Sequence, residues 1–178
     1  MSKMDSPTPL LTREEIHQRV VSLGQEISTD YADTNGLVLV GVLRGSFVFL
    51  ADLIREIDLA VEIEMISVMS YGDATKSTGH VRLIMDLQRD VQDCDVLIVE
   101  DIVDTGRTLN YLVETLKQRH PRTLRVCTLL DKPSRREIEA VPKYVGFEIP
   151  DRFVVGYGLD YAQRYRNLPY IGVLAEPQ

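Results

Sequence analysis

The sequence predicts an α/β domain built on a mainly parallel sheet flanked by helices. Three observations carry this. Leu37–Leu43 (LVLVGVL), Val96–Val99 and Leu124–Leu130 are short apolar runs rich in β-branched residues, as strands covered on both faces require. Between them lie segments with apolar residues at helical spacing. The strand-to-helix junctions, Arg44-Gly45-Ser46 and Asp104-Thr105-Gly106, carry glycine and hydroxyl residues suited to turns.

The elements follow in order. Residues 1–10 read as a loose tail. Thr12 and Glu15 have the spacing of a capping box. Ile16, Val20, Leu23 and Ile27 then mark one face of an amphipathic helix. After the strand at 37–43, Phe47, Leu50, Ala51, Ile54 and Ile57 mark a second helix. Val61–Ser70 and Val81–Leu87 are strand-like and pair around a polar loop, Tyr71–His80. A loop at 100–106 leads into a third helix with Leu109, Leu112, Val113 and Leu116 inward, ending near His120-Pro121. Phe153–Tyr157 and Tyr170–Leu174 supply the last strands. The 178 residues suit one domain.

Composition narrows the chemistry. The formal net charge of −7 argues against nucleic acid as the main partner. Cys94 and Cys127 form no CxxC pair, and His17, His80 and His120 match no metal-ligand spacing. No apolar run approaches the ~20 residues of a membrane span, so a cytoplasmic setting without membrane contact is expected.

The segment Val96–Leu109, VLIVEDIVDTGRTL, carries most of the chemistry. Gly106 lets backbone approach a ligand, Thr105 and Thr108 add hydroxyls, and the first helical N–H groups lack internal partners. Together these attract an anion. Glu100, Asp101 and Asp104 would repel a bare phosphate. A sugar diol donating to the carboxylates, or Mg²⁺ bridging them to phosphate, removes the conflict. The bland alternative is a capped helix beside two solvated acids. Neither GxxxxGK[ST] nor GxGxxG is present.

This segment resembles the ribose-phosphate motif of type I phosphoribosyltransferases. Leu43-Arg44-Gly45-Ser46 is similar to the pyrophosphate loop of the hypoxanthine(-guanine) branch. So are Asp131-Lys132-Pro133 to its purine-binding stretch and Val145–Tyr161 (VGFEIPDRFVVGYGLDY) to its most distinctive segment. The likeness runs from about Thr12 to Leu174.

The resemblance implies a Rossmann-like sheet with a small hood made from the N-terminal region and about 131–178. It implies 5-phosphoribosyl 1-pyrophosphate and a 6-oxopurine as substrates, with Mg²⁺ as cofactor. Glu100, Asp101, Asp104, Thr105, Gly106, Arg107 and Thr108 would hold the ribose 5′-phosphate. Arg44, Gly45 and Arg166 would hold pyrophosphate, and Lys132, Phe153 and Val154 the purine. Glu100, Asp101 and Asp160 would ligate metal. Ser70 and Tyr71 would begin a lid, Asp104 would be the catalytic base, and Leu43–Arg44 a non-proline cis peptide. A homodimer or homotetramer is implied. A xanthine-preferring enzyme and a nucleotide-sensing regulator on the same fold stay open.

Overall fold

In the computed structural model the structure describes residues 6–73 and 76–174, with the side chains of 70–80 outside that description. The six-stranded sheet has the order β4-β3-β2-β5-β6-β7. Its strands are β2 (Leu37–Leu43), β3 (Val61–Asp73), β4 (Lys76–Met85), β5 (Asp95–Val103), β6 (Thr123–Asp131) and β7 (Tyr144–Glu148). Every neighbouring pair is parallel except β3 with the edge strand β4.

Strand periodicity divides the core. Leu37, Leu39, Leu97, Val99, Cys127 and Leu129 face α1 (Arg13–Asp30) and α2 (Phe47–Glu56). Val38, Val40, Val96, Ile98 and Val126 face α3 (Arg107–Lys117). Alternate side chains thus serve opposite layers, which is why these strands read as unbroken apolar runs. The capping box at α1 forms as its spacing requires, with Thr12 Oγ1 accepting from the Glu15 amide at 3.2 Å. Ile16, Val20, Leu23 and Ile27 are all buried.

Register explains where a ligand can enter. β2 pairs with β5 only as far as Gly41↔Val99, while β5 stays paired with β6 out to Val103↔Asp131. The carboxyl ends of β2 and β5 therefore part. The chain turns to opposite sides of the sheet after these two strands, which is the switch point where open α/β sheets bind ligands.

Several expectations are corrected. Thr8–Leu11 is no loose tail: it forms β1, antiparallel to β9 (Ile171–Val173), which pairs with β8 (Val154–Val155) in a small second sheet. Residues 1–5 lie outside the described residues. The supposed loop at 71–80 continues the β3–β4 ladder through Tyr71↔His80 and Asp73↔Lys76. Glu100–Val103 belongs to β5 and not to a loop. In α2 the buried face is Phe49, Leu50 and Leu53, with Phe47 exposed, because FVFLADLI is apolar nearly all round and spacing alone cannot choose a face. β7 went unread, being a five-residue edge strand interrupted by Gly146. No helix among the described residues is long and apolar enough to cross a membrane.

Candidate active site

Where β2 and β5 part, a cavity of about 390 Å³ opens. Its walls bring together Arg44, Gly45, Glu100, Asp101, Asp104, Thr105, Gly106, Thr108, Asp160 and Arg166, residues drawn from four separate stretches of chain. A second cavity, of about 800 Å³, adjoins it and is lined by Lys132, Phe153 and Asp104 among others. Asp104 borders both.

The turn into α3 is shaped by Gly106, whose φ of 84° suits glycine. A β-carbon there would come within 2.5 Å of the Ile138 carbonyl oxygen. That carbonyl belongs to a segment that braces the turn from behind. Glu137 and Ile138 amides donate to the Thr105 carbonyl at 3.0 and 3.1 Å. Arg136 Nη1 donates to the Asp104 carbonyl at 3.0 Å, and Arg136 also pairs with Asp131. At the start of α3 the Arg107 amide donates to Thr105 Oγ1 at 3.4 Å, and helix-opening amides lack partners within the helix. Arg107 does not line the cavity; its guanidinium is held by Glu137, with Nε–Oε2 at 2.8 Å.

Glu100 and Asp101 sit at the cavity floor. Burial pushes the Glu100 carboxyl well above its usual range, and the Asp101 charge adds to this. Burial also pushes Asp101 up to about 6, against the Ile102 amide that donates to it at 2.9 Å and the Arg166 charge. Two acids that both resist ionising form a site short of positive charge. Among the described residues no three His, Cys, Asp or Glu side chains form a metal-binding group.

The pyrophosphate-loop candidates crowd this floor. The Leu43–Arg44 peptide is cis. Gly45 lies directly against Asp101, and Gly158, with φ of 102°, lies against the Gly45 carbonyl. Arg166 donates to the Gly158 carbonyl at 2.6 Å and pairs with Asp160 at 2.6 Å. Asp160 thus faces an arginine inside the cavity.

In the second cavity Lys132 is only 7 % exposed, and its Nζ donates to the Arg152 carbonyl at 2.7 Å. Phe153 is half-exposed and meets Tyr161 edge-to-face, centroids 5.5 Å apart. Val154 is buried in β8 and lines neither cavity. Ser70 and Tyr71 lie in β3, with their side chains outside the described residues. Sequence reasoning missed Gly158, Arg135 and Asp151. The GYG spacing around Gly158 was visible, but not what it approaches.

Comparison with known proteins fits this geometry. The phosphoribosyl transferase domain model matches residues 10–162. A Bacillus subtilis protein named hypoxanthine-guanine phosphoribosyltransferase is 51% identical over 98% of this chain and 96% of its own. An Escherichia coli hypoxanthine phosphoribosyltransferase is 51% identical over 92% of each. The crystal structure of a hypoxanthine phosphoribosyltransferase from Staphylococcus aureus superposes with a TM-score of 0.91 at 47% identity, covering 97% of both chains. The chain therefore belongs to the phosphoribosyl transferase family, in its hypoxanthine(-guanine) branch.

Proposed function

We propose that this chain transfers the 5-phosphoribosyl group from 5-phosphoribosyl 1-pyrophosphate to N9 of hypoxanthine, and of guanine, in purine salvage. The products are the nucleoside 5′-monophosphate and pyrophosphate. The observation that carries the reading is the position of Asp104, which borders both the anion-suited cavity and the cavity holding Lys132 and Phe153. A residue at that junction can touch both substrates.

The 5′-phosphate accepts from the amides and hydroxyls of the Asp104–Thr108 turn, aided by the helix dipole. Arg107 contributes its amide there, because Glu137 holds its side chain. Glu100 and Asp101 accept from the ribose hydroxyls. Arg44, the Gly45 backbone and Arg166 neutralise pyrophosphate. Lys132 Nζ leaves the Arg152 carbonyl to donate to the 6-oxo group, Phe153 stacks on the base, and the Val154 main chain reads its edge. As N9 bonds to C1′, the C1′–pyrophosphate bond breaks with oxocarbenium character at the sugar, which nearby negative charge favours. Asp104 takes the proton from N7. Ser70 and Tyr71 begin the lid that excludes water.

Mg²⁺ fits the donor set. Glu100 and Asp101 are hard oxygen donors in a site short of positive charge, and this ion takes one or two carboxylates plus substrate oxygens. Asp160 is a further donor once Arg166 turns to pyrophosphate. When bound, the ion offsets the charge that pyrophosphate carries as it leaves. The reading takes residues 1–178 as one cytoplasmic domain acting as a homodimer or homotetramer.

Asp104→Asn tests the reading. Turnover is expected to fall about 10²–10⁴-fold with little change in donor KM; unchanged turnover overturns the base role. Pyrophosphate release with hypoxanthine, guanine, xanthine and adenine then ranks the bases.

A further inference from the structure

Five charged residues line the second cavity: Asp104, Lys132, Arg135, Asp151 and Arg152. The first four form a chain across it. Arg135 Nε meets Asp104 Oδ1 at 3.1 Å. Arg135 Nη1 reaches Asp151 Oδ2 at 3.4 Å, and Lys132 Nζ lies 3.8 Å from Asp151 Oδ1. One end of the chain is the residue read as the N7 base, and the other is the residue read as the 6-oxo donor.

The contact with Asp104 is one-sided. Arg135 engages Oδ1, and no donor among the described residues reaches Oδ2. Asp104 lines the cavity, and a carboxylate restrained through one oxygen keeps the other available to a ligand there. Arg135 is itself fixed at both ends. Its amide donates to the Lys132 carbonyl at 3.0 Å in the turn Pro133–Arg135, and its guanidinium is tied to Asp151.

We propose that Arg135 is a positioning residue for phosphoribosyl transfer: anchored by Asp151, it orients the Asp104 carboxylate so that Oδ2 meets the purine. This rests on the base role of Asp104. Arg135, Asp104 and Asp151 are 47%, 41% and 50% exposed, so the direct worth of these ion pairs is no more than about fivefold in an equilibrium. Misplacing a reacting group by about 1 Å costs up to ~10²-fold. Orientation is the larger effect, so removing Arg135 slows the reaction.

The test is a double-mutant cycle of Arg135→Ala and Asp104→Asn, with kcat and both KM values measured for hypoxanthine and 5-phosphoribosyl 1-pyrophosphate. Arg135→Ala alone should lower kcat at least about tenfold with the donor KM unchanged. In the Asp104→Asn background it should do nothing more, because the residue it positions is gone. Arg135→Lys, which keeps a cation against Asp104, should recover part of the loss; its failure to do so would overturn the orienting role. Parent-like kcat in Arg135→Ala, or the same fold loss in both backgrounds, overturns the proposal while leaving the base role standing. Parent-like turnover in Asp104→Asn alone overturns the base role itself. Arg135 is half-exposed, so a melting curve matching the parent confirms that each variant is folded.

Discussion

Gly45 and Asp101 are in such close contact that a β-carbon on Gly45 would stand 1.5 Å from Asp101 Oδ2. The other side of the loop is equally tight: a β-carbon on Gly158 would lie 2.1 Å from the Gly45 carbonyl oxygen. The loop at Gly45 is thus a single thickness of backbone between an acid of β5 and the Gly156–Gly158 turn. Space, rather than backbone conformation, demands glycine at 45.

Gly45→Ala should therefore displace either the Asp101 carboxylate or the loop. We expect kcat/KM to fall by about 10²-fold. Overpacking should also cost roughly 1–3 kcal/mol, seen as a lower melting temperature. A pyrophosphate-release assay with a thermal melt checks both; an alanine variant with parental activity would show that the close approach is not needed.

What could be read in advance follows from the range of each interaction. The turn at 104–108 is local, so its glycine, threonines and helix start stand side by side in the sequence. The burial of Leu37–Leu43 on both faces was equally visible as an unbroken apolar run. Glu100–Val103 was misread because acids at a strand end look like a loop, and only pairing with β6 through Val103↔Asp131 shows the strand continuing. The contacts of Arg135 with Asp104 and Asp151 join residues 31 and 16 positions apart. No period or motif encodes such pairs. The same holds for Gly45 with Asp101, where the partner decides what the glycine is for.

Asp95, at the start of β5, links folding to pH. It is 5% exposed and accepts from Arg122 Nε at 3.0 Å and Thr123 Oγ1 at 2.7 Å, with Thr34 also donating. The Arg122 guanidinium holds its carboxyl well below the usual range, against the opposing effect of burial. A native pKa below the unfolded value means that the unfolded chain binds more protons on acidification. The stabilisation is therefore complete above the unfolded value of about 3.9 and is lost as pH falls through it towards the native value. Asp95→Asn should lower the urea midpoint at pH 7 by an amount equivalent to about 1–3 kcal/mol, Arg122 being half-exposed. It should also flatten the decline in stability between about pH 5 and pH 2. Parallel pH profiles for the two proteins would show that Asp95 is not the group responsible.

Leu112 separates stability from catalysis. It is fully buried where α3 packs on the sheet, one turn beyond Leu109, which lines the cavity. Leu112→Ala should cost about 2–5 kcal/mol through lost contacts and a residual void. The urea midpoint should fall with the slope unchanged. Below the transition, KM for the ribosyl donor should stay near the parent value, because the Gly106 turn is braced from 136–138 and not from the helix core. A large rise in that KM would mean instead that helix packing, and not the brace, sets the turn.

Lys132 should govern the base and leave the donor alone. It lines the second cavity and is absent from the walls of the first. With no base present its Nζ donates to the Arg152 carbonyl at 2.7 Å, an acceptor that the 6-oxo oxygen replaces when hypoxanthine binds. A charge-assisted hydrogen bond to the 6-oxo group is worth about 1.5–3 kcal/mol. Lys132→Ala should therefore reduce kcat/KM for hypoxanthine about 10- to 150-fold, with KM for 5-phosphoribosyl 1-pyrophosphate unchanged. Adenine places an amino donor where the lysine would donate, so the parent should disfavour it, with two donors left face to face. Removing the lysine should relieve that clash and narrow the ratio of hypoxanthine to adenine turnover. Steady-state kinetics with each base varied against saturating donor measures both effects. Equal losses for the two bases would mean that Lys132 shapes the cavity without reading the 6-position.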